Sequence, residues 1–329
     1  MMDVRLLSAL GAILLALMAG SMVVGSATVP MDAVLAFLTG QAEPAVRVVL
    51  LDIRLPRVLL AAVVGGALSM AGAALQGLMR NPLADPGIIG ITASASLGAV
   101  LSLYLGLATA FSLALPLCAI AMALFATLCM TLIAGRDASV LTLVLAGVAI
   151  SSFASALTSL VINLSPNPFA LGEIVLWLLG SLTNRSVSDL LLAAPFVIAG
   201  GGLLLLTGRQ LDALTLGEET AATLGVDLKR LRYLVVFGAA LAVGASVAVA
   251  GSVSFVGLIV PHVLRPFVGH APSRLLLPSA LGGAILIVFA DLVVRLTPTI
   301  QELKLGVITA LLGAPFFLHL LWTTRKAMR

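Results

Sequence analysis

The chain has 329 residues, 61% of them hydrophobic and only 10% charged, against roughly one quarter charged in ordinary soluble domains. That balance excludes a soluble globular enzyme, and a net charge of +4 scattered between apolar runs is a set of topology markers rather than a nucleic-acid surface. Apolar runs of span length recur without the two-residue alternation of a membrane barrel, so the fold class is an all-α polytopic membrane protein.

In chain order, MMDVR and the apolar run to Val24 read as a retained first span. A secretory signal ending at the GSA of positions 25–27 is the alternative, but the run is longer than a signal's apolar region. Further spans are expected at 56–79, 88–108, 111–134, 139–163, 188–207, 231–250, 253–267, 275–297 and 304–323, after a first at 5–25. Pro30 to Leu38 and Phe169 to Leu179 are too short to cross and read as interfacial helices, with Trp177 as an interface anchor. Cys118 and Cys129 share one apolar run, about 16 Å apart along a helix, too far for a disulfide. The chain is one transmembrane domain, 1–329, with no soluble domain and no phosphate-binding G-x-x-x-x-G-K-[ST] loop.

From Leu231 to Val268 hydropathy is nearly continuous, and one long helix competes with two short ones around Gly251-Ser252. With the split, twelve of the 18 Lys and Arg, among them Arg136 and Arg329, fall on the amino-terminal side; without it, nine fall on each. The positive-inside rule selects ten spans with both termini cytoplasmic.

Four stretches stand out against this background. Arg54 and Arg57 lie three apart on one face of a helix expected to begin near Pro56. Cations at a helix N-terminus oppose the dipole by about 0.3–1 kcal/mol each, so a partner or snorkelling to headgroups must account for them. Gly65, Gly66, Gly72 and Gly77 in the following span suit close helix–helix approach. NPLADPG, Asn81 to Gly87, places two prolines where the second span must stop, which by itself specifies a rigid turn.

The fourth stretch is TLGEETAATLGVDLKR, Thr215 to Arg230, in the charged segment 209–230. Thr215 and Glu218 match a capping box, Glu218 and Glu219 suit the helix dipole, Gly225 is a stop and Asp227 a cap for the next span. Ala221, Leu224 and Leu228 fall on one apolar face. Such a helix either folds against its own membrane domain or docks into another protein.

Five segments, RLPRVLLAAVVGGALSMAGAALQGLMRNPLADPGIIG (54–90), LAGVAI (145–150), LGEETAATLGV (216–226), SFVGLIVPHVLR (254–265) and LGVITALLGAPFF (305–317), resemble in order the FecCD permeases of type II ABC importers. The resemblance implies ten transmembrane helices in an inverted repeat of two five-helix halves. It also implies a second permease subunit, with a homodimer preferred to a heterodimer, and two cytoplasmic ABC ATPase subunits that carry ATP and Mg. A periplasmic binding protein and membrane lipid complete the partners, with no nucleic acid and no cofactor or metal held by this chain. The expected cargo is a ferric siderophore, with cobalamin or haem as alternatives, crossing a bacterial inner membrane. Leu216, Gly217, Glu218, Glu219, Ala221, Leu224, Gly225 and Leu228 match the family's ATPase-coupling helix. Arg54, Arg57 and Arg295 match its binding-protein contacts, although Asp291 four residues before Arg295 also suits a plain intrahelical ion pair. Asn81, Pro82 and Leu83 match its cytoplasmic gate. A faint echo between GGALSMAGAAL (65–75) and GAALAVGASVA (238–248) fits the repeat. Lys304 departs from the family, which commonly has a small residue or proline there.

A proton-coupled metal-ion transporter is the rival, since such proteins also use DPG and PH elements, here Asp85-Pro86-Gly87 and Pro261-His262. The match fails in detail. The DPG lies in a polar loop, and His262, His270 and His319 are separated with no acid cluster at midplane to bind a bare cation.

Overall fold

The computed structural model describes residues 4–25, 29–111, 113–135, 139–165, 168–298 and 302–327. Arg136 and Arg329 of the charge count, and most of the GSA segment, lie outside them. Ten membrane helices follow in order: α1 (Val4–Val23), α2 (Leu55–Met79), α3 (Ile91–Tyr104), α4 (Ala114–Ala134), α5 (Val140–Asn163), α6 (Val187–Leu206), α7 (Leu228–Ala250), α8 (Val256–Leu264), α9 (Pro272–Leu296) and α10 (Leu305–Ala327). Each expected span is met by one helix, and no strand occurs among the described residues. The two short segments read as interfacial are helical as well, over Met31–Leu38 and Pro168–Leu178.

The hydropathy run from Leu231 to Val268 breaks where expected. Gly251 closes α7 with φ 71°, a left-handed value that costs glycine little. Five residues later α8 starts, so the run is two helices instead of one overlong helix.

Helices α1–α5 and α6–α10 repeat one plan. Helix α2 packs on α9 as α7 packs on α4, and α2 meets α8 as α7 meets α3. Both pairs of contacts follow from exchanging the halves. The third helix of each half is short: α3 has 14 residues and α8 nine, about 21 and 14 Å at 1.5 Å per residue, against an apolar layer about 30 Å thick. Each follows an irregular stretch that ends in a left-handed residue, Gly90 (φ 83°) before α3 and Phe255 (φ 68°) before α8. Non-helical backbone at membrane depth survives only where protein or a cavity satisfies it.

The core lies around α2 and α7, which are apolar on nearly every face and buried along most of their length, as helices surrounded by protein must be. Glycine brings the neighbours of α2 in close. A Cβ on Gly65 would sit 2.1 Å from the carbonyl oxygen of Gly283 in α9, and one on Gly72 2.0 Å from that of Gly257 in α8. Gly66 and Gly77 are less restrictive, with nearest atoms at 3.2 and 3.4 Å. Cys118 and Cys129 are both free thiols on α4.

Three local expectations are corrected. The helix carrying Arg54 and Arg57 does not begin near Pro56: an α-helical turn, Pro44–Arg47, and a π-helical segment, Val48–Arg54, run into α2 with helical backbone throughout. The arginines therefore sit inside a helix, not at an N-terminus. Thr215 makes no capping box, because its hydroxyl donates to the carbonyl of Asp212 and it ends the helix Gly208–Leu214. The next helix, Glu218–Thr223, starts after Gly217 at φ 106° with no side-chain cap. Trp177 is half-buried against the core, and its indole nitrogen is shielded from solvent, so it is not an outward interface anchor.

Candidate functional site

The predicted residues gather at the two ends of the bundle. At one end the start of α2, the close of α1 and the last turn of α9 converge. Helix α1 has a single fully buried residue, Ser21, beside the place where it must satisfy its last carbonyls. Arg54 donates from Nη1 to the carbonyls of Met22 and Val23, both at 2.6 Å. Arg295 donates from Nη1 to those of Ser21 (2.9 Å) and Val24 (3.0 Å), and from Nη2 to the Ser21 hydroxyl. Two guanidiniums thus cap a helix C-terminus, where the dipole favours positive charge.

Between them lies Asp291, only 1% exposed. It accepts from Arg57 Nε at 2.8 Å and pairs with Arg295 Nε at 3.1 Å. The intrahelical pair read from the spacing of Asp291 and Arg295 is therefore present. Arg57 also binds Glu302, in the turn before α10, and Thr183 donates to the second Glu302 oxygen at 2.7 Å. Burial alone would raise the Glu302 carboxyl, but the hydrogen bonds from Arg57 and Thr183 win and hold it below the ordinary glutamate range. So Arg54, Arg57 and Arg295 do come together, but paired inward. Glu302 and Thr183 were not anticipated: Glu302 lies 245 positions from Arg57, and no local spacing announces a contact between a helix of one half and a turn of the other.

At the other end, Asp227 Oδ1 accepts from the backbone of Arg230 (2.9 Å), the expected cap of α7, and Gly225 (φ 85°) stops the short helix. The expected apolar face divides. Ala221 is fully buried and Leu228 packs partly against the core, whereas Leu224 is 63% exposed and Leu216 64%. The helix ends at Thr223, so Leu224 has left the helical register of Ala221. Glu218 reaches Arg232 at 3.1 Å instead of capping its own helix, and Glu219 is exposed. Asp212 accepts from the backbone of Ser273 (2.8 Å), tying the approach to this helix to the start of α9.

The Asn81–Gly87 turn follows α2 at the same end. Asn81 Oδ1 accepts from Leu83 N (2.9 Å) and Asp85 Oδ1 from Gly87 N (2.8 Å), two successive turns closed by side chains. Asn81 and Pro82 are exposed and Leu83 is half-buried. Ser151 of α5 donates to the carbonyl of Gly87 at 3.1 Å, and a Cβ on Gly147 would meet Ile89 at 2.6 Å. The turn therefore rests on α5. Beneath it, buried Gln76 donates to the carbonyl of Gly257 (3.1 Å) and accepts from Arg265, a link from α2 to the end of α8 that the sequence reading missed. Burial raises the Asp85 carboxyl, with only the Gly87 hydrogen bond opposing it. Among the described residues, no three His, Cys, Asp or Glu side chains converge as metal ligands.

Residues 13–323 match the FecCD transport family. The chain belongs to that family. It is 41% identical to the cobalamin import system permease BtuC of Halobacterium salinarum over 279 residues, 84% of this chain and 73% of that relative. It is 38% identical to the hemin transport system permease HmuU of Yersinia pestis over 289 residues, 84% of each. Its backbone superposes on an inward-facing metal-chelate-type ABC transporter with a TM-score of 0.86 at 34% identity, covering 97% of this chain and 99% of the other. As a FecCD permease the chain is a transport subunit and not an enzyme. ATP hydrolysis belongs to a separate subunit, and the permease works with that ATPase and a second permease. The ion-coupled rival is thereby set aside.

Proposed function

We propose that this permease imports a ferric siderophore across a bacterial inner membrane, both termini cytoplasmic, as one half of a homodimer. Cobalamin and haem are the alternative cargoes, and relatives named for each support the chelate class. The observation that carries the reading is that this FecCD chain has two unlike ends: a cationic cluster at one and an exposed apolar helix flank at the other. An apolar body suits a whole chelate whose metal is already coordinated, with recognition left to a binding protein.

In this reading Leu216 to Leu228 is the coupling segment. Leu216 and Leu224 enter a cleft on the ATPase, Ala221 and Leu228 hold the segment to the permease, and Glu218 fixes it to α7 through Arg232. Motion of the ATPase passes through Gly225 and the Asp227 cap into α7, because a partner biases a conformation only by contacts that differ between states. Asn81, Pro82 and Leu83 form the cytoplasmic gate, moved by α5 through Ser151.

Arg54, Arg57 and Arg295 form the docking site for the binding protein. The cluster holds three guanidiniums and two carboxylates, Asp291 and Glu302, which pair with Arg57 and Arg295, so it keeps a positive excess. Docking then proceeds by exchange, an acidic group of the partner taking the place of Glu302 on Arg57. Proteoliposomes holding the permease with its cognate ATPase and binding protein test the cargo. ATP-dependent uptake of an iron-loaded siderophore, above that of cyanocobalamin or haemin, is expected. Preference for either of the others replaces the cargo, and uptake driven by a proton gradient without ATP overturns the mechanism.

A further inference from the structure

A cavity of about 440 Å³ opens at the start of α7, lined by Leu203 of α6 and by Asp227, Lys229, Arg230, Tyr233, Leu234 and Phe237. Its chemistry is layered. Lys229, Tyr233 and Phe237 succeed one another four apart along one face, and Arg230 and Leu234 along the next, so cations sit at the rim and apolar groups below. From Lys229 to Phe237 is about 12 Å along the helix, the distance from headgroup to upper acyl chain. The Tyr233 and Phe237 rings lie 6.4 Å apart, an aromatic wall at interfacial depth.

The charges at the rim are available to a ligand. Lys229 and Arg230 are exposed, while Arg232 next to them is committed to Glu218. Asp227, the one acid at the rim, already accepts from the backbone of Arg230. A soluble anion would use the cations but leave the apolar wall uncovered, whereas a phospholipid covers both.

We infer that this cavity is a binding site for an anionic phospholipid, its phosphate held by Lys229 and Arg230 and its acyl chain against Leu203, Leu234 and Phe237. The site begins at Asp227, two residues after Gly225, so the lipid steadies the end of α7 that receives the coupling segment. Its leaflet, the cytoplasmic one, rests on the orientation proposed above; binding itself does not.

The test is native mass spectrometry of the purified full-length permease loaded with phosphatidylglycerol or with phosphatidylcholine of identical chains. Wild type is expected to retain phosphatidylglycerol preferentially, and Lys229→Gln with Arg230→Gln to lose that preference by about tenfold or more, from two basic contacts. Phe237→Ala is expected to weaken retention of the lipid while leaving the headgroup preference in place. Arg209→Gln removes an exposed cation that does not line the cavity, and should change nothing. Equal retention of both lipids by wild type overturns the site, a result that needs no variant to fold. An equal loss in Arg209→Gln also overturns it, leaving diffuse charge attraction, and displacement by inorganic phosphate overturns it in favour of a soluble anion. Transport failing for another reason would alter none of these readings.

Discussion

The two ends of this permease spend their charged residues in opposite ways. At the arginine end, Arg57, Asp291 and Arg295 are almost wholly enclosed, and their hydrogen bonds join α1, α2, α9 and the turn before α10. At the opposite end, the short helix Glu218–Thr223 is tied down by Ala221 and one half-exposed pair, Arg232 with Glu218, while Leu216 and Leu224 face outward. A buried ion pair is expensive to form and more expensive to break, so it holds one arrangement. A surface pair is worth about 0–1 kcal/mol and leaves its helix free to follow a partner. One end is locked by buried pairs; the other, in the reading proposed above, is the one a partner moves.

The arginine end is most vulnerable at Asp291. Asp291→Ala leaves Arg57 and Arg295 facing each other without their shared acid and should cost about 3–5 kcal/mol, read as a lowered melting temperature of the detergent-solubilised permease. A loss under 1 kcal/mol would mean that the cluster does not hold this end together. Next comes the helix crossing in the middle. Gly65→Ala would drive a Cβ into the backbone of Gly283, where no side chain can rotate away, and should cost about 1–3 kcal/mol or more. Gly202→Ala, with nothing within 4 Å, is the control and should be near neutral.

Glu302 sharpens the contrast through pH. Its folded carboxyl lies below the ordinary value of 4.5, so its contribution is present above that value and is lost as pH falls through the lower, folded one. Neutral and mildly acidic media leave it intact. Glu302→Gln should cost about 1 kcal/mol at neutral pH and flatten the acid limb of the stability curve. If docking exchanges this acid for one on the binding protein, the same variant binds that protein more tightly; unchanged affinity would refute the exchange.

The sequence showed much of this architecture, for reasons that can be named. The number and order of the membrane helices, the break at Gly251, the Gly225 stop and the Asp227 cap are local properties of backbone and hydropathy, and all are present, whereas the helices expected over 88–108 and 253–267 are shorter than their apolar runs. The failures arose where distant or compensating contacts decide. Pro56 reads as a helix start because it lacks an N–H, but π-helical Val48–Arg54 carries the helix through it. Thr215 and Glu218 have capping-box spacing, but Gly217 at φ 106° separates them into different helices. Arg54 looked like a surface cation because its acceptors, two carbonyls 31 and 32 residues earlier, carry no sequence signature.

The smallest expected change in stability falls at Leu224, where the proposed division between the two ends is most exposed to failure. Leu224 is 63% exposed and lies past the end of its helix, so Leu224→Asp should alter stability by no more than about 0.5 kcal/mol. An aspartate there must nevertheless enter the apolar cleft proposed to receive it, and leaving a carboxylate unpaired in such a place is prohibitive. The variant should therefore insert, dimerise and melt like wild type, yet fail to transport with ATPase and binding protein present. Normal transport would show that the exposed flank is not the lever. Lost transport with an equally lowered melting temperature would place Leu224 in the fold, and the division of labour between the two ends would fail with it.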